Sequence, residues 1–340
     1  MAPLNGMALG FITGDINGRR VIGHSGDTAF FHSVLWLFLN DNVGLFVSVN
    51  SRGLPGGFSR YALFESFADR YFPAPNTDGT VDAKTAAEHA RMVSGSYISA
   101  RGSFDNWFAV TGLMGQVKVV ANPDGTVSFP VLPRPSGQPI HYREISPFVW
   151  RAVGGHERFI AIVKDGKVVR VSSETLAPIM VWDRAPAEKD AAWIMPAAQA
   201  GALVVILTAL GWPLLAIIRR RYGQSFALTG KRAQAYRIVR IGAVAAVIGM
   251  GAWMFLLQSL GAPGGMDALF YNDGELLLIY ALGAVGFVGG LLSSGYNLFV
   301  AFTEKSSWLA KLWAVLLTLS FMALVWFAHL GGLLSFSTHY

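Results

Sequence analysis

The sequence predicts a multi-domain protein: an N-terminal strand-and-helix segment, a small all-β barrel or sandwich, and an all-α bundle of four transmembrane helices. Three observations carry this. Hydrophobic residues make up 53% of the 340 positions and charged residues only 14%, too apolar a balance for an average soluble chain. Charges are spread through residues 1–190 and thin out beyond them. Before that boundary the apolar residues fall in short runs broken by Gly, Asn and Asp turns. After it they run on for roughly the 20 residues that cross a bilayer.

Residues 1–72 read as antiparallel strands followed by a helix. Arg20-Val-Ile-Gly precedes a turn expected around Gly26-Asp27. Residues 30–39 and 43–49 are apolar runs separated by Asn40-Asp41-Asn42, a hairpin signal. Their near-continuous hydrophobicity implies burial on both faces. Over residues 58–71, Tyr61, Phe64, Phe67 and Tyr71 alternate with Arg60, Glu65 and Asp69 at the spacing of an amphipathic helix lying on a sheet. Residues 73–94 are a linker and a short helix, with the helix expected over 82–93.

Residues 95–184 form the β-rich domain. Residues 117–121 and 127–131 flank Asn122-Pro-Asp-Gly-Thr, and residues 159–163 and 168–171 flank Lys164-Asp-Gly-Lys, a tight hairpin. Trp107, Phe129, Trp150 and Trp182 are its expected core. The transmembrane domain is 185–340, with spans at about 191–218, 241–262, 276–302 and 312–334.

Orientation follows from lysine and arginine. The first connection holds Arg219, Arg220, Arg221, Lys231, Arg232, Arg237 and Arg240. The second holds no base but Asp267, Asp273 and Glu275, and the third holds Lys305 and Lys311. Connections one and three are therefore cytoplasmic. The chain is expected in the cytoplasmic (inner) membrane, multi-pass, with residues 1–190 on the outer, periplasmic side. Trp193, Trp308, Trp313 and Tyr340 fall near the expected interfaces. The small residues Gly283, Gly286, Gly289 and Gly290 suit close helix packing. His329 is the one candidate for a proton relay inside the spans, and an anchoring bundle is the simpler expectation.

Several function classes are excluded. The net charge of +6 sits in one juxtamembrane connection, so it marks topology or an anionic-lipid contact and not nucleic acid. There is no cysteine, hence no disulfide, thiolate metal site or cysteine nucleophile. His24, His32, His89, His141 and His156 lack metal-ligand spacing, and no metal is expected. Gly53-Leu-Pro-Gly-Gly lacks the Lys-Ser/Thr of a phosphate loop. No cofactor is expected.

One local constellation has catalytic character: Gly23-His24-Ser25-Gly26-Asp27-Thr28, at the end of a strand beside the apolar hairpin. The stretch from Gly18-Arg-Arg-Val-Ile-Gly-His-Ser-Gly-Asp-Thr-Ala-Phe-Phe-His-Ser to Asn42-Val-Gly-Leu-Phe-Val-Ser-Val-Asn-Ser resembles the β-lactamase-related serine hydrolases. These include class C β-lactamases, penicillin-binding proteins and related esterases. The resemblance covers residues ~5–72. It implies a partial α/β serine β-lactamase-like domain, the last antiparallel strands and terminal helix of a catalytic domain. It also implies an acyl-serine mechanism on a peptide, β-lactam or ester. A Ser-x-x-Lys serine attacks, a Tyr-x-Asn tyrosine shares the proton work, and a Lys/His-x-Gly third motif lines the facing wall. Here His24-Ser25-Gly26 would be that third motif. His24 would supply charge or a hydrogen bond, Ser25 would hold a substrate carboxylate, Gly26 would leave room, and the Asp27 N–H would be one oxyanion donor.

The chain departs from the pattern decisively. It contains no Ser-x-x-Lys and no Tyr-x-Asn. Ser48-Val-Asn50 follows the third motif where the family order puts its match before. A sheet beginning near residue 8 is expected to leave an unpaired edge and an uncovered apolar face. Met1-Ala-Pro-Leu-Asn-Gly is no signal peptide, although residues 1–190 should be exported. The expectation is a truncated or split gene product, inactive alone, whose partners are the lipid bilayer, an upstream or separate catalytic half, and an acyl- or peptide-type substrate. The alternative is a non-catalytic, membrane-anchored envelope binding protein.

Overall fold

The computed structural model describes residues 4–28, 30–51, 59–75, 77–130, 139–260 and 272–339. The loop at 53–57, the strand end at Val131, most of the second transmembrane connection including Asp267, and Tyr340 lie outside the described residues. The chain forms two compact units, one of residues 1–101 and 115–186, the other of 102–114 and 187–340.

The first unit opens with a five-stranded antiparallel meander in sequential order: β1 (Gly6–Ala8), β2 (Phe11–Ile16), β3 (Arg19–Asp27), β4 (His32–Phe38) and β5 (Val43–Val49). Asn17 and Gly18, at φ 52° and 70°, make the two-residue turn between β2 and β3, the left-handed pair that matches strand twist. Helix α1 (Ser59–Tyr71) lies on one face through Arg60, Phe64 and Ala68, one residue per turn. Trp36 stacks on Phe64 at 5.0 Å between ring centres, and Phe38 stacks on Phe72 at 4.6 Å.

Two expectations are corrected here. β3 does not turn at Gly26-Asp27: it stays paired as far as Asp27↔His32, and the turn comes after Asp27. The hairpin strands are not buried on both faces. β4 alternates buried and half-buried residues, and β5 alternates half-buried and exposed ones. A single helix covers a single face, so Leu35, Leu37 and Phe46 point away from α1, and Phe46 is 66% exposed.

The β-rich region is a closed antiparallel barrel of eight strands. They are β6 (Gly95–Ser99), β7 (Val117–Ala121), β8 (Val127–Ser128), β9 (His141–Ser146), β10 (Val149–Ala152), β11 (Arg158–Lys164), β12 (Lys167–Ser173) and β13 (Val181–Arg184). Pairing of Trp182 with Ser99 closes it, which removes the free edge a sheet would otherwise present. Helix α2 (Ala83–Val93) starts at Asp82, whose carboxylate accepts the Thr85 N–H. It places Ala90 and Val93 in a core with Tyr97, Phe129, Trp150, Phe159 and Trp182.

Glu157 is buried at the barrel wall, where its Oε1 accepts hydrogen bonds from Tyr142 Oη at 2.7 Å and Ser173 Oγ at 2.8 Å. Burial pushes its carboxyl above the usual range, against those two bonds. The folded state therefore keeps a proton that the unfolded chain releases. Its contribution is fully present below the unfolded pKa, about 4.3, and is lost as pH rises through the folded value. Glu157→Gln keeps the acceptor and cannot ionise. We expect wild type to lose stability relative to Glu157→Gln as pH rises from the unfolded value through the raised folded one, read by urea unfolding with tryptophan fluorescence. Parallel pH profiles for the two proteins would contradict this.

The second unit contains α3 (Ala109–Met114) and four long helices: α4 (Ala191–Arg221), α5 (Gly230–Ser259), α6 (Asp273–Thr303) and α7 (Trp308–Leu330). All four are long and apolar enough to cross a membrane. α5 begins well before the apolar run, so Lys231, Arg232, Arg237 and Arg240 lie on the helix and the connection shrinks to 222–229. Arginine and lysine are good helix formers, and hydropathy alone does not register that.

Residues 102–114 interrupt the barrel between β6 and β7 and belong to the helical unit. Trp107, expected in the β core, is buried instead with Val110, Trp253, Tyr280 and Leu333. Asn106 Nδ2 donates to the His339 carbonyl at 2.8 Å. The apolar phase of Trp107, Val110 and Leu113 is helical, so this short stretch has no strand face to offer the barrel.

Candidate functional site

The third-motif residues sit on the part of β3 that outruns its neighbour. β2 pairs with β3 only from Arg19 to Gly23, whereas β4 pairs with it through Asp27. His24 to Asp27 therefore have a strand on one side and none on the other among the described residues. The Thr28 N–H donates to Phe31 O at 2.8 Å, which sets the ladder alternation. By that alternation the backbone groups of His24 and Gly26 point to β4, and those of Ser25 and Asp27 point to the open edge. The Asp27 N–H is thus directed outward, to the open edge of β3.

The side chains divide between the two faces. His24 is exposed on the face away from α1, and Gly26 on that face has nothing within 4 Å of where a Cβ would stand. Ser25 and Asp27 point to the α1 side, as alternate residues of a strand must. The structure therefore joins His24 with Gly26 and does not bring the Ser25 hydroxyl to the same face.

The Asp27 carboxylate is held by two residues that sequence reasoning passed over for this role. Its Oδ2 accepts from Arg60 Nη2 at 2.8 Å, and its Oδ1 pairs with His32 Nδ1 at 2.5 Å. Arg60 is only 3% exposed, with its guanidinium over the Tyr61 ring at 4.8 Å. The signal was available: an arginine in phase with Phe64 and Ala68 sits on the buried stripe of α1 and requires an acid there. Asp27 itself is half exposed, so the pair is screened and adds little stability. Its effect is positional, tying the open end of β3 to α1.

Elsewhere in this unit the sheet and barrel meet through polar contacts. Asn5 Nδ2 donates to the carbonyls of Glu174 and Leu176, and His156 Nε2 lies 2.7 Å from Asp69 Oδ1. A cleft of about 250 Å³ there is lined by Asp15, Asn17, Arg151, His156, Arg158 and Glu174. Burial raises the Glu174 carboxyl pKa although Arg158 is bonded to it. A wider cleft of about 810 Å³ runs over the barrel wall past Asp78, Arg143, Glu144 and Arg151. Glu144 is fully buried there, accepting from the Phe148 N–H and paired with His89 at 2.7 Å. Neither cleft includes His24–Asp27. Among the described residues no three His, Asp or Glu side chains converge as metal ligands.

No protein-family model matches the chain, and no curated protein matches it. Among solved structures it is similar to SurE with D-Leu, at 13% identity and a TM-score of 0.28, over 54% of this chain and 39% of that one. It is also similar to the octameric penicillin-binding protein homologue from Pyrococcus abyssi, at 15% identity and a TM-score of 0.19, over 52% of this chain and 36% of that one. The chain thus spans well under half the length of either, and likeness at these TM-scores defines no shared architecture.

Proposed function

We propose that residues 1–72 are the substrate-side wall of a β-lactamase-related acyl-serine hydrolase, the C-terminal portion of its catalytic domain. Helices α4–α7 anchor it in the cytoplasmic membrane, with the β-containing unit on the outer side. The observation that carries this reading is the overhang of β3, where an outward Asp27 N–H, an exposed His24 and an unobstructed Gly26 lie together. When a serine attacks an acyl carbon the carbonyl oxygen takes up negative charge, and an oriented backbone N–H stabilises it in advance. His24 on the same strand offers a donor or a positive charge to the substrate or to proton transfer. The uncovered Leu35, Leu37 and Phe46 give the other half of such a domain an apolar surface to cover.

The nucleophile and its base come, on this reading, from polypeptide outside these 340 residues. Removing a nucleophile from such a site lowers turnover by roughly 10⁶. A fluorophosphonate serine probe is therefore expected to leave the chain unlabelled, and to label the assembled protein once an upstream Ser-x-x-Lys half is supplied. Peptide, β-lactam and ester substrates all fit this chemistry. A stoichiometric acyl adduct on Ser25 of the chain alone would overturn the proposal.

A second reading, a non-catalytic envelope binding protein, draws on the cleft over the barrel wall and its Arg143 and Arg151. It predicts no labelling even when the upstream half is present.

A further inference from the structure

The cytoplasm-facing end of the first helix pair carries a concentration of charge with nothing to balance it. No Asp or Glu occurs between Asp190 and Asp267, while seven Lys and Arg fall between Arg219 and Arg240. A topology signal needs only that such charges lie in the connection. It does not need them gathered, and here they are gathered. Arg219, in the last turn of α4, and Arg237, near the start of α5, both set their guanidiniums over the Phe226 ring, at 5.3 and 5.6 Å. Phe226 packs on Tyr236 at 5.1 Å, and the Arg240 guanidinium lies over Tyr236 at 3.3 Å.

Three guanidiniums on two touching rings repel one another, and cation–π contact offsets only part of that. Two further polar atoms in the cluster are left over. Arg240 Nε and Tyr236 Oη are buried with no hydrogen-bond partner among the described residues. A single anion with several acceptor oxygens would satisfy both the charge and the orphaned donors. Planar guanidiniums match phosphate oxygens two at a time. The helix ends put the cluster at headgroup depth, where anionic lipids concentrate.

We propose that Arg219, Arg237 and Arg240, organised by Phe226 and Tyr236, form a binding site for the phosphate of an anionic lipid headgroup. The arrangement holds whatever the β-containing unit does.

The test uses the full chain in nanodiscs of phosphatidylcholine alone or mixed with phosphatidylglycerol. Native mass spectrometry counts retained phosphatidylglycerol, and thermal unfolding reports stabilisation. Wild type is expected to retain the lipid and to unfold at higher temperature in its presence. Arg219→Gln with Arg237→Gln should weaken retention by roughly a hundredfold, since each charge-assisted hydrogen bond to the phosphate contributes about a factor of ten. Lys231→Gln with Arg232→Gln removes the same charge away from Phe226 and should retain most binding. If that control loses as much as the first pair, diffuse charge is responsible and the site is refuted. Arg219→Lys with Arg237→Lys keeps the charge without the planar fork and should fall between. Equal stabilisation of wild type by inorganic phosphate in phosphatidylcholine alone would refute the lipid as the source. Unfolding of every variant in phosphatidylcholine alone at the wild-type temperature shows that the fold is unchanged. A variant that unfolds early there is replaced by Phe226→Leu, which should lose retention with the charges intact; undiminished retention in it refutes the site.

Discussion

Replacing Gly23 by alanine should dismantle the five-stranded sheet, while the same change three residues on, at Gly26, should leave it standing. A Cβ on Gly23 would enter the Leu35 carbonyl and the Trp36 ring, with Trp36 Cδ2 only 2.7 Å away. The carbonyl is backbone of the paired strand and cannot retreat without opening Gly23↔Trp36. The ring cannot retreat because it is stacked on Phe64 beneath α1. Overpacking a core usually costs 1–3 kcal/mol, and a clash against backbone on one side and a stacked indole on the other puts Gly23→Ala at about 3 kcal/mol. At Gly26 a Cβ meets nothing, and losing a strand glycine is worth about +0.5 kcal/mol. Urea unfolding followed by Trp36 emission separates the two, and equal stabilities would show that β3 and β4 are not packed as described. The comparison also bears on function. On the proposed function, Gly26→Ala in the chain assembled with its upstream half should fold normally and yet lose serine-probe labelling, because its methyl would stand where the acyl group approaches.

What was legible in the sequence was what local chemistry decides. Asp165-Gly166 announced its turn because the pair must adopt positive φ, and it does. Phe64 marked the buried phase of α1, although Tyr61, Phe67 and Tyr71, read with it, are half-buried or exposed, and four long apolar runs marked four helices, since neither inference needs a distant partner. The misses all required one. The expected barrel is present, but its closure through Trp182 and Ser99 pairs strands far apart in the chain, which no periodicity encodes. Trp107 looked like a β-core aromatic because its neighbours in sequence are strands, but its neighbours in space are Trp253 and Val110. β4 read as buried on both faces because composition cannot count how many layers cover a sheet. In the candidate site, the motif His24-Ser25-Gly26 was visible. That its side chains alternate across the sheet, and that Arg60 and His32 take the Asp27 carboxylate, depends on register and on the helix that follows.

The largest effect in the helical unit should come from Gly286→Val. Apolar helices in lipid gain nothing by hiding from water, so their association depends on how closely their surfaces fit. α5 and α6 fit through glycine. A Cβ at Gly286 would stand 2.7 Å from the Ala245 carbonyl and 2.8 Å from Ala246 Cα. A turn away on the other helix, Gly249 faces Leu282 O at 2.9 Å and Gly283 Cα at 3.1 Å, and Gly242 faces Gly290 Cα at 3.2 Å. At Gly286 and Gly249 backbone thus lies on backbone, with no flexible side-chain end to give way, while at Gly242 the Ser293 hydroxyl is also in the way. Valine at 286 must push the helices apart, and every contact along the seam loosens together, so the cost belongs at or above the upper end of the usual 1–3 kcal/mol. Gly289 reads as an equivalent small residue in the sequence, yet it faces open space. Gly289→Val should be neutral or gain a few tenths of a kcal/mol from helix propensity. Thermal unfolding in detergent, followed by emission of Trp253, which packs edge-on to Tyr280 at 5.2 Å, distinguishes the two. A matched drop in both variants would mean that α6 is turned about its axis relative to the arrangement described, because only rotation could make the two glycines equally costly to fill.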